Sequence, residues 1–315
     1  MNMKNFTSVT DVEDPIALIK KAALCKKSPF ENDHLGKHKT LGLIFFNPSL
    51  RTRLSTQRAA YNLGMNVIVM NIDKDSWKLE FEDGQIMNSD KAEHVKEAVA
   101  VMSQYCDLLG VRTFPGLVNR DEDYSEFILN QFIKYSSVPI ISLESATLHP
   151  LQSLADMLTI DELKIVKPKI VLTWAPHIRA LPQAVSNSFV EWCKASQADI
   201  TVTCPEGFEL SPEFMEGVKL EHNQKEAFKG ADIIYAKNWS SFNDYGKIGQ
   251  NLDHWIVDQE KMNLTNQAKF MHCLPVRRNL VVSDEVLDSS IVIEEANNRT
   301  YAAQAVLQEF LTSMK

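Results

Sequence analysis

The sequence predicts an α/β protein of two doubly wound, parallel-sheet domains with a cleft between them, joined by interdomain helices. Three observations lead there. Short apolar runs alternate with amphipathic stretches from end to end, the order that builds parallel sheets covered by helices on both faces. The runs fall into a group of four and a group of five, separated by the helical stretch 150–163. A chain of 315 residues also exceeds what one small core organises and suits two domains.

In chain order, the apolar runs expected as strands are 40–46, 67–71, 107–113, 139–143, 169–174, 199–204, 232–236, 269–274 and 290–293. Helical periodicity marks 51–63, 91–105, 124–134, 150–163, 182–194, 224–228 and 297–313. The pattern restarts at Lys167-Pro168-Lys169, so residues 1–150 form the first expected domain and 151–315 the second, with the last helix, about 297–313, returning to the first. Ligands of open α/β sheets bind beyond the carboxyl ends of the strands, so residues just after strands in both halves are the ones to inspect.

Composition narrows the chemistry. Hydrophobic residues make up 44% and charged residues 23%, the profile of an ordered globular chain. A net charge of −8 argues against a nucleic-acid backbone or an anionic membrane as the main partner. The five cysteines (Cys25, Cys106, Cys193, Cys204, Cys273) are scattered without metal-ligand spacing, which fits reduced thiols and no metal site. The longest apolar runs fall short of a membrane span and the first twelve residues lack the features of a signal peptide, so a cytoplasmic location is expected. An anionic substrate would then need a local cluster of Arg, His and backbone N–H groups.

Such clusters occur at the expected strand ends. The first strand runs into Asn47-Pro48-Ser49-Leu50-Arg51-Thr52-Arg53, followed by a helix. Free N–H groups and the helix dipole at that start favour an anion, the Ser49 and Thr52 hydroxyls can donate, and Arg51 can grip two phosphate oxygens. Alone, the segment also reads as a helix start with solvated arginines. The third strand ends in Val111-Arg112-Thr113, and the fourth leads through Glu144 to His149-Pro150-Leu151-Gln152. A lone His is more often structural, but this one follows a strand in the same half as the arginine turn. In the second half, His272-Cys273-Leu274-Pro275-Val276-Arg277-Arg278 follows an apolar strand.

These motifs resemble the aspartate and ornithine carbamoyltransferases. Ser49-Leu50-Arg51-Thr52-Arg53 is similar to that family's carbamoyl-phosphate turn, His149-Pro150-Leu151-Gln152 to its His-Pro-x-Gln motif, and His272-Cys273-Leu274-Pro275 to the signature of the ornithine branch. The three stand in family order across the chain. The Asp-x-x-x-Ser-Met-Gly segment that holds free ornithine is missing, and the region reads Tyr235-Ala236-Lys237-Asn238-Trp239 instead, which resembles the subfamily acting on N-acylated ornithines.

The resemblance implies carbamoyl transfer from carbamoyl phosphate to the side-chain amine of an N-acylated ornithine in arginine biosynthesis, without a cofactor. Ser49, Leu50, Arg51, Thr52, Trp77, Arg112, His149, Gln152, Cys273 and Leu274 are implied to bind carbamoyl phosphate, and Glu144, His177, Lys237, Cys273 and Arg277 the acylated amino acid. Arg51, Thr52, Arg112, His149 and Cys273 carry the catalytic roles, with a neutral His149 donating to the carbonyl oxygen and phosphate accepting the amine's proton. Trp77, within Lys74–Lys78, is implied to cross into a neighbouring subunit of a homotrimer. Ala92 matches the acyl-specificity position, Glu in acetylornithine enzymes and Pro in succinylornithine enzymes. Ala lacks the carboxylate that would repel a succinyl group, and a helix start near Lys91 would favour an anion, so N-succinylornithine is preferred over N-acetylornithine. A non-catalytic ligand-binding relative stays open, whereas a nucleotide-binding dehydrogenase is disfavoured because no strand is followed by GxGxxG.

Overall fold

The computed structural model describes residues 3–72 and 74–314 and contains two compact units of α/β structure. The first comprises residues up to Pro115, Asp121–Leu151 and the chain from Arg299 onward; the second comprises Gly116–Arg120 and Gln152–Asn298.

The first unit is built on a four-stranded parallel sheet in the order Asn66–Asn71, Thr40–Phe45, Leu108–Arg112, Ile140–Glu144. The two inner strands are almost entirely buried, as expected of apolar runs covered on both faces. Gly110 keeps that sheet tight, because a Cβ there would meet Leu43 Cδ2 at 2.9 Å and Leu143 Cδ2 at 3.1 Å. An N-terminal segment lies along the Ile140–Glu144 edge, with Phe6 N–H donating to Ile140 O (2.9 Å) and Ser142 N–H to Phe6 O (2.8 Å). The closing helix is fixed to the same unit by the Asn62 amide donating to Gln304 Oε1 (2.9 Å) and the Gln304 amide donating to Pro29 O (2.7 Å).

The second unit holds a five-stranded parallel sheet in the order Lys269–Met271, Ile233–Lys237, Lys169–Trp174, Asp199–Thr203, Lys219–Glu221. The helix Ala184–Ala195 is buried over most of its length. No helix among the described residues is long and apolar enough to cross a membrane.

Three expectations are corrected. The run 290–293 is not a strand: Val292 begins the helix Val292–Ser313 and packs into the second unit's core beside Phe270 and Val286. Its β-branched residues imitate a strand, while Glu294 in the first turn suits a helix start. The fifth strand is instead Lys219–Glu221, a short polar edge strand without a visible apolar period. The helix expected from residue 91 begins at Val95, with His94 as its N-cap accepting from Lys96 N–H (3.1 Å). Residues Glu93–His94 pair instead with Leu79–Glu80 in a two-strand ladder. The apolar run from 269 likewise leaves the sheet after Met271, so that His272 onward forms a turn.

Candidate functional site

Parallel strands put all their carboxyl ends on one edge, and in the first unit that edge carries the arginine turn, Arg112, Glu144 and His149. The register between Leu108–Arg112 and Ile140–Glu144 slips at its last step: Val111 pairs with Ser142, but Arg112 pairs with Glu144. The extra residue, Leu143, re-aims the strand end and sets Arg112 and Glu144 side by side. Their side chains form an ion pair with both groups buried. Arg112 also donates through Nε to Asn47 Oδ1 (3.2 Å) and through Nη1 to Thr52 Oγ1 (3.3 Å). Its guanidinium is thus held on three sides by the strand-end carboxylate and the arginine turn.

The helix Arg51–Asn62 starts behind Leu50, whose side chain makes no capping bond and is 66% exposed. A helix start without a side-chain cap is the kind at which an anion can bind. The two arginines of the turn have different surroundings. Arg53 lies over the Phe45 ring (4.7 Å to the centroid) and donates to Asn71, whereas Arg51 sits at the turn itself, half-buried. Thr52 is buried, and its hydroxyl oxygen accepts from Arg299 Nη2 at 2.6 Å.

His149 is buried, with Nε2 3.5 Å from Glu144 Oε2. The turn before it is organised by Glu126, whose Oε1 accepts from Thr147 N–H (2.7 Å) and from the Ser145 hydroxyl (2.6 Å). Sequence reasoning missed Glu126, Asn47 and Arg299. Glu126 and Arg299 belong to no quoted motif, Asn47 was quoted at the head of the arginine turn but given no role, and their partners lie 19 or more positions away.

In the second unit the carboxyl edge carries Lys237, the segment after Trp174, and the turn after Met271. Arg277 Nε donates to His177 Nε2 at 3.3 Å, and His177 Nδ1 lies 3.1 Å from both the carbonyl oxygen and the N–H of Arg179. Burial, reinforced by the charges of Lys237, Arg277 and Arg179, holds His177 below the ordinary imidazole pKa and so keeps it neutral. Arg278 is turned away, paired with Asp284 (2.9 Å) and Asp288 (2.7 Å).

Cys273 is buried in a turn where Leu274 takes a positive φ of 53°, a costly conformation for a branched side chain, and the Leu274–Pro275 peptide is cis. The turn is held by Leu274 N–H donating to His272 Nδ1 (2.9 Å) and His272 N–H donating to Glu295 Oε2 (2.9 Å). Gln152 is fully buried, and its amide donates to Asp156 Oδ1 at 2.7 Å.

The remaining two expected residues lie in the segment following Asn66–Asn71. Trp77 is 57% exposed and donates through Nε1 to Glu93 Oε2 of its own chain at 2.8 Å. Ala92 is tied by its N–H to Lys78 O (3.1 Å) and is flanked by Lys91, whose ammonium pairs with Glu80 (2.9 Å). Among the described residues no group of three or more His, Cys, Asp or Glu side chains is arranged to hold a metal ion.

The structure therefore brings together Thr52, Arg112, Glu144 and His149 in one unit, and His177 and Arg277 in the other. Known proteins resemble the chain over nearly its whole length. Residues 4–162 match the carbamoyl-P binding domain of the aspartate/ornithine carbamoyltransferases, and residues 182–310 match their Asp/Orn binding domain. The chain is 52% identical to the N-succinylornithine carbamoyltransferase of Bacteroides thetaiotaomicron, covering 99% of this chain and 100% of that one. It is 36% identical to the N-acetylornithine carbamoyltransferase of Xanthomonas axonopodis pv. citri, covering 98% and 96% respectively. A crystal structure of an N-acetyl-L-ornithine transcarbamylase variant with one glutamate replaced by alanine, complexed with carbamyl phosphate and N-succinyl-L-norvaline, superposes with a TM-score of 0.92 at 36% identity, covering 98% of this chain and 99% of that one. On these matches the chain belongs to the aspartate/ornithine carbamoyltransferase family.

Proposed function

We propose that this carbamoyltransferase moves the carbamoyl group of carbamoyl phosphate to the side-chain amine of N-succinyl-L-ornithine, giving N-succinyl-L-citrulline and phosphate in arginine biosynthesis. The observation that carries the reading is the full-length 52% identity to N-succinylornithine carbamoyltransferases, against 36% for N-acetylornithine relatives. Ala92 supports the same choice, because a Glu there would set a like charge against the succinyl carboxylate. The helix dipole adds nothing at this position, since the helix begins at Val95 and is capped by His94.

The phosphate would rest on Ser49, Leu50 N–H, Arg51 and Thr52, with Trp77 closing over it, and the carbonyl oxygen would face Thr52, Arg112 and His149. An uncapped helix start and a guanidinium fixed by Asn47, Thr52 and Glu144 favour this reading. The amine nitrogen attacks the carbonyl carbon, negative charge grows on the oxygen facing Arg112, the bond to the phosphate oxygen breaks, and the departing phosphate takes the amine's proton. Donors already aimed at that oxygen require no reorganisation during the step. Gln152, Cys273 and the Leu274 carbonyl would orient the carbamoyl nitrogen and the attacking amine, while Lys237, His177 and Arg277 would hold the acylated amino acid. Glu144, paired with Arg112, serves as its orienting anion as well as a candidate contact for the second substrate. The enzyme would work in the cytoplasm as a homotrimer.

Replacing Arg51 or Arg112 with Ala is expected to cost about 2–4 kcal/mol of transition-state stabilisation, read as kcat/KM, while the variant keeps its folded circular-dichroism spectrum. Near-normal turnover by either folded variant would contradict the assignment.

Comparison of kcat/KM for N-succinyl-, N-acetyl- and free ornithine is expected to rank the succinyl compound first, and Ala92→Glu to reverse the order of the two acyl substrates. A native preference for N-acetylornithine would overturn the acyl assignment, and one for free ornithine the subfamily as well.

Trp77 is expected to act in a neighbouring subunit. Mixing inactive Trp77→Ala and Arg51→Ala chains should then regain activity through composite sites, whereas a fully active isolated monomer would exclude shared sites.

A further inference from the structure

Behind the Cys273 turn, the second unit buries two acidic side chains against each other. Asp156, from the helix Pro150–Glu162, and Glu295, from the first turn of Val292–Ser313, are both fully inaccessible to solvent. One buried amide nitrogen, that of Gln152, reaches both carboxyl groups and so brings them close together. Two carboxylates held side by side where water is excluded repel one another strongly, and a hydrogen on one of their four oxygens removes that repulsion. The Gln152 amide nitrogen reaches both groups, at 2.7 Å from Asp156 Oδ1 and 3.5 Å from Glu295 Oε1, so it supports an anion on Asp156 more strongly. Glu295 turns its other oxygen outward and accepts the His272 N–H at 2.9 Å, directly before Cys273.

We propose that Asp156 and Glu295 share one proton carried on Glu295, and that this neutral carboxyl group is a positioning residue for the His272–Cys273–Leu274 turn. Burial and the neighbouring Asp156 charge both hold the Glu295 carboxyl well above the usual carboxylate range, while the His272 N–H opposes them weakly. The charge count explains the choice of residue type. A neutral acid donates to Asp156 with one oxygen and accepts from the backbone with the other, so the turn is tied to the helix without a second buried negative charge behind the thiol. Its catalytic consequence rests on the role of Cys273 in the proposed reaction. The protonation state does not.

The test uses the full-length enzyme. Infrared difference spectroscopy of native protein against Glu295→Gln at pH 8 should show the carbonyl stretch of a protonated carboxylic acid in the native enzyme alone. Because Gln supplies the same acceptor and a donor toward Asp156, Glu295→Gln should keep kcat within about threefold of native, whereas Glu295→Ala should lower kcat by about tenfold or more with little change in KM for carbamoyl phosphate. Absence of the acid band would overturn the shared proton even if Glu295→Ala failed to fold. A folded Glu295→Gln as impaired as Glu295→Ala would overturn the positioning role. Native enzyme without carbamoyl transfer would instead overturn the proposed reaction and leave the spectroscopic result intact.

Discussion

The buried ion pair between Arg112 and Glu144 is the contact on which the first half of the site depends. Taking either charge out of water alone is costly, so each requires the other at short range. The sheet meets that requirement with a single backbone irregularity, the register slip at Leu143 that puts Glu144 opposite Arg112. Once the guanidinium is fixed, Asn47 and Thr52 are bound to it, and with them the turn that starts the helix Arg51–Asn62. His149 completes the cluster through the same carboxylate. A strand end, a helix start and a buried imidazole are thereby held in one arrangement around the guanidinium.

The second unit solves a related problem with a proton instead of a cation. Its thiol turn carries a strained Leu274 and hangs from a buried acid whose partner is another acid. Strain of this kind persists only where surrounding contacts over-determine the backbone, and here both N–H groups flanking Cys273 are engaged, one by Glu295 and one by the His272 ring.

Much of this was legible in the sequence because the strands of a covered parallel sheet must be short and apolar, and because ligand groups in such folds cluster where strands end. That logic found 40–46, 107–113 and 169–174 as strands and directed attention to Arg51, Arg112, His149 and Cys273. It failed where a local pattern has two physical meanings. Ile291-Val292-Ile293 looks like a buried strand, yet it opens a helix, and Lys219-Leu220-Glu221 is too polar to look like anything but a loop. The supports of the site were hidden for another reason. Glu126, Asp156, Glu295 and Arg299 act through tertiary pairs, and a sequence read in windows of a few residues carries no signal for partners as distant as Thr52 and Arg299.

If Glu144 acts by holding the Arg112 guanidinium on target, the two residues contribute to catalysis as one unit. A double-mutant cycle on kcat with Arg112→Lys, Glu144→Gln and the combined variant measures this directly. Strong non-additivity is expected, with the double variant little worse than the more impaired single one and a coupling energy of about 1–3 kcal/mol. Losses that simply add, to within about 0.5 kcal/mol, would contradict it.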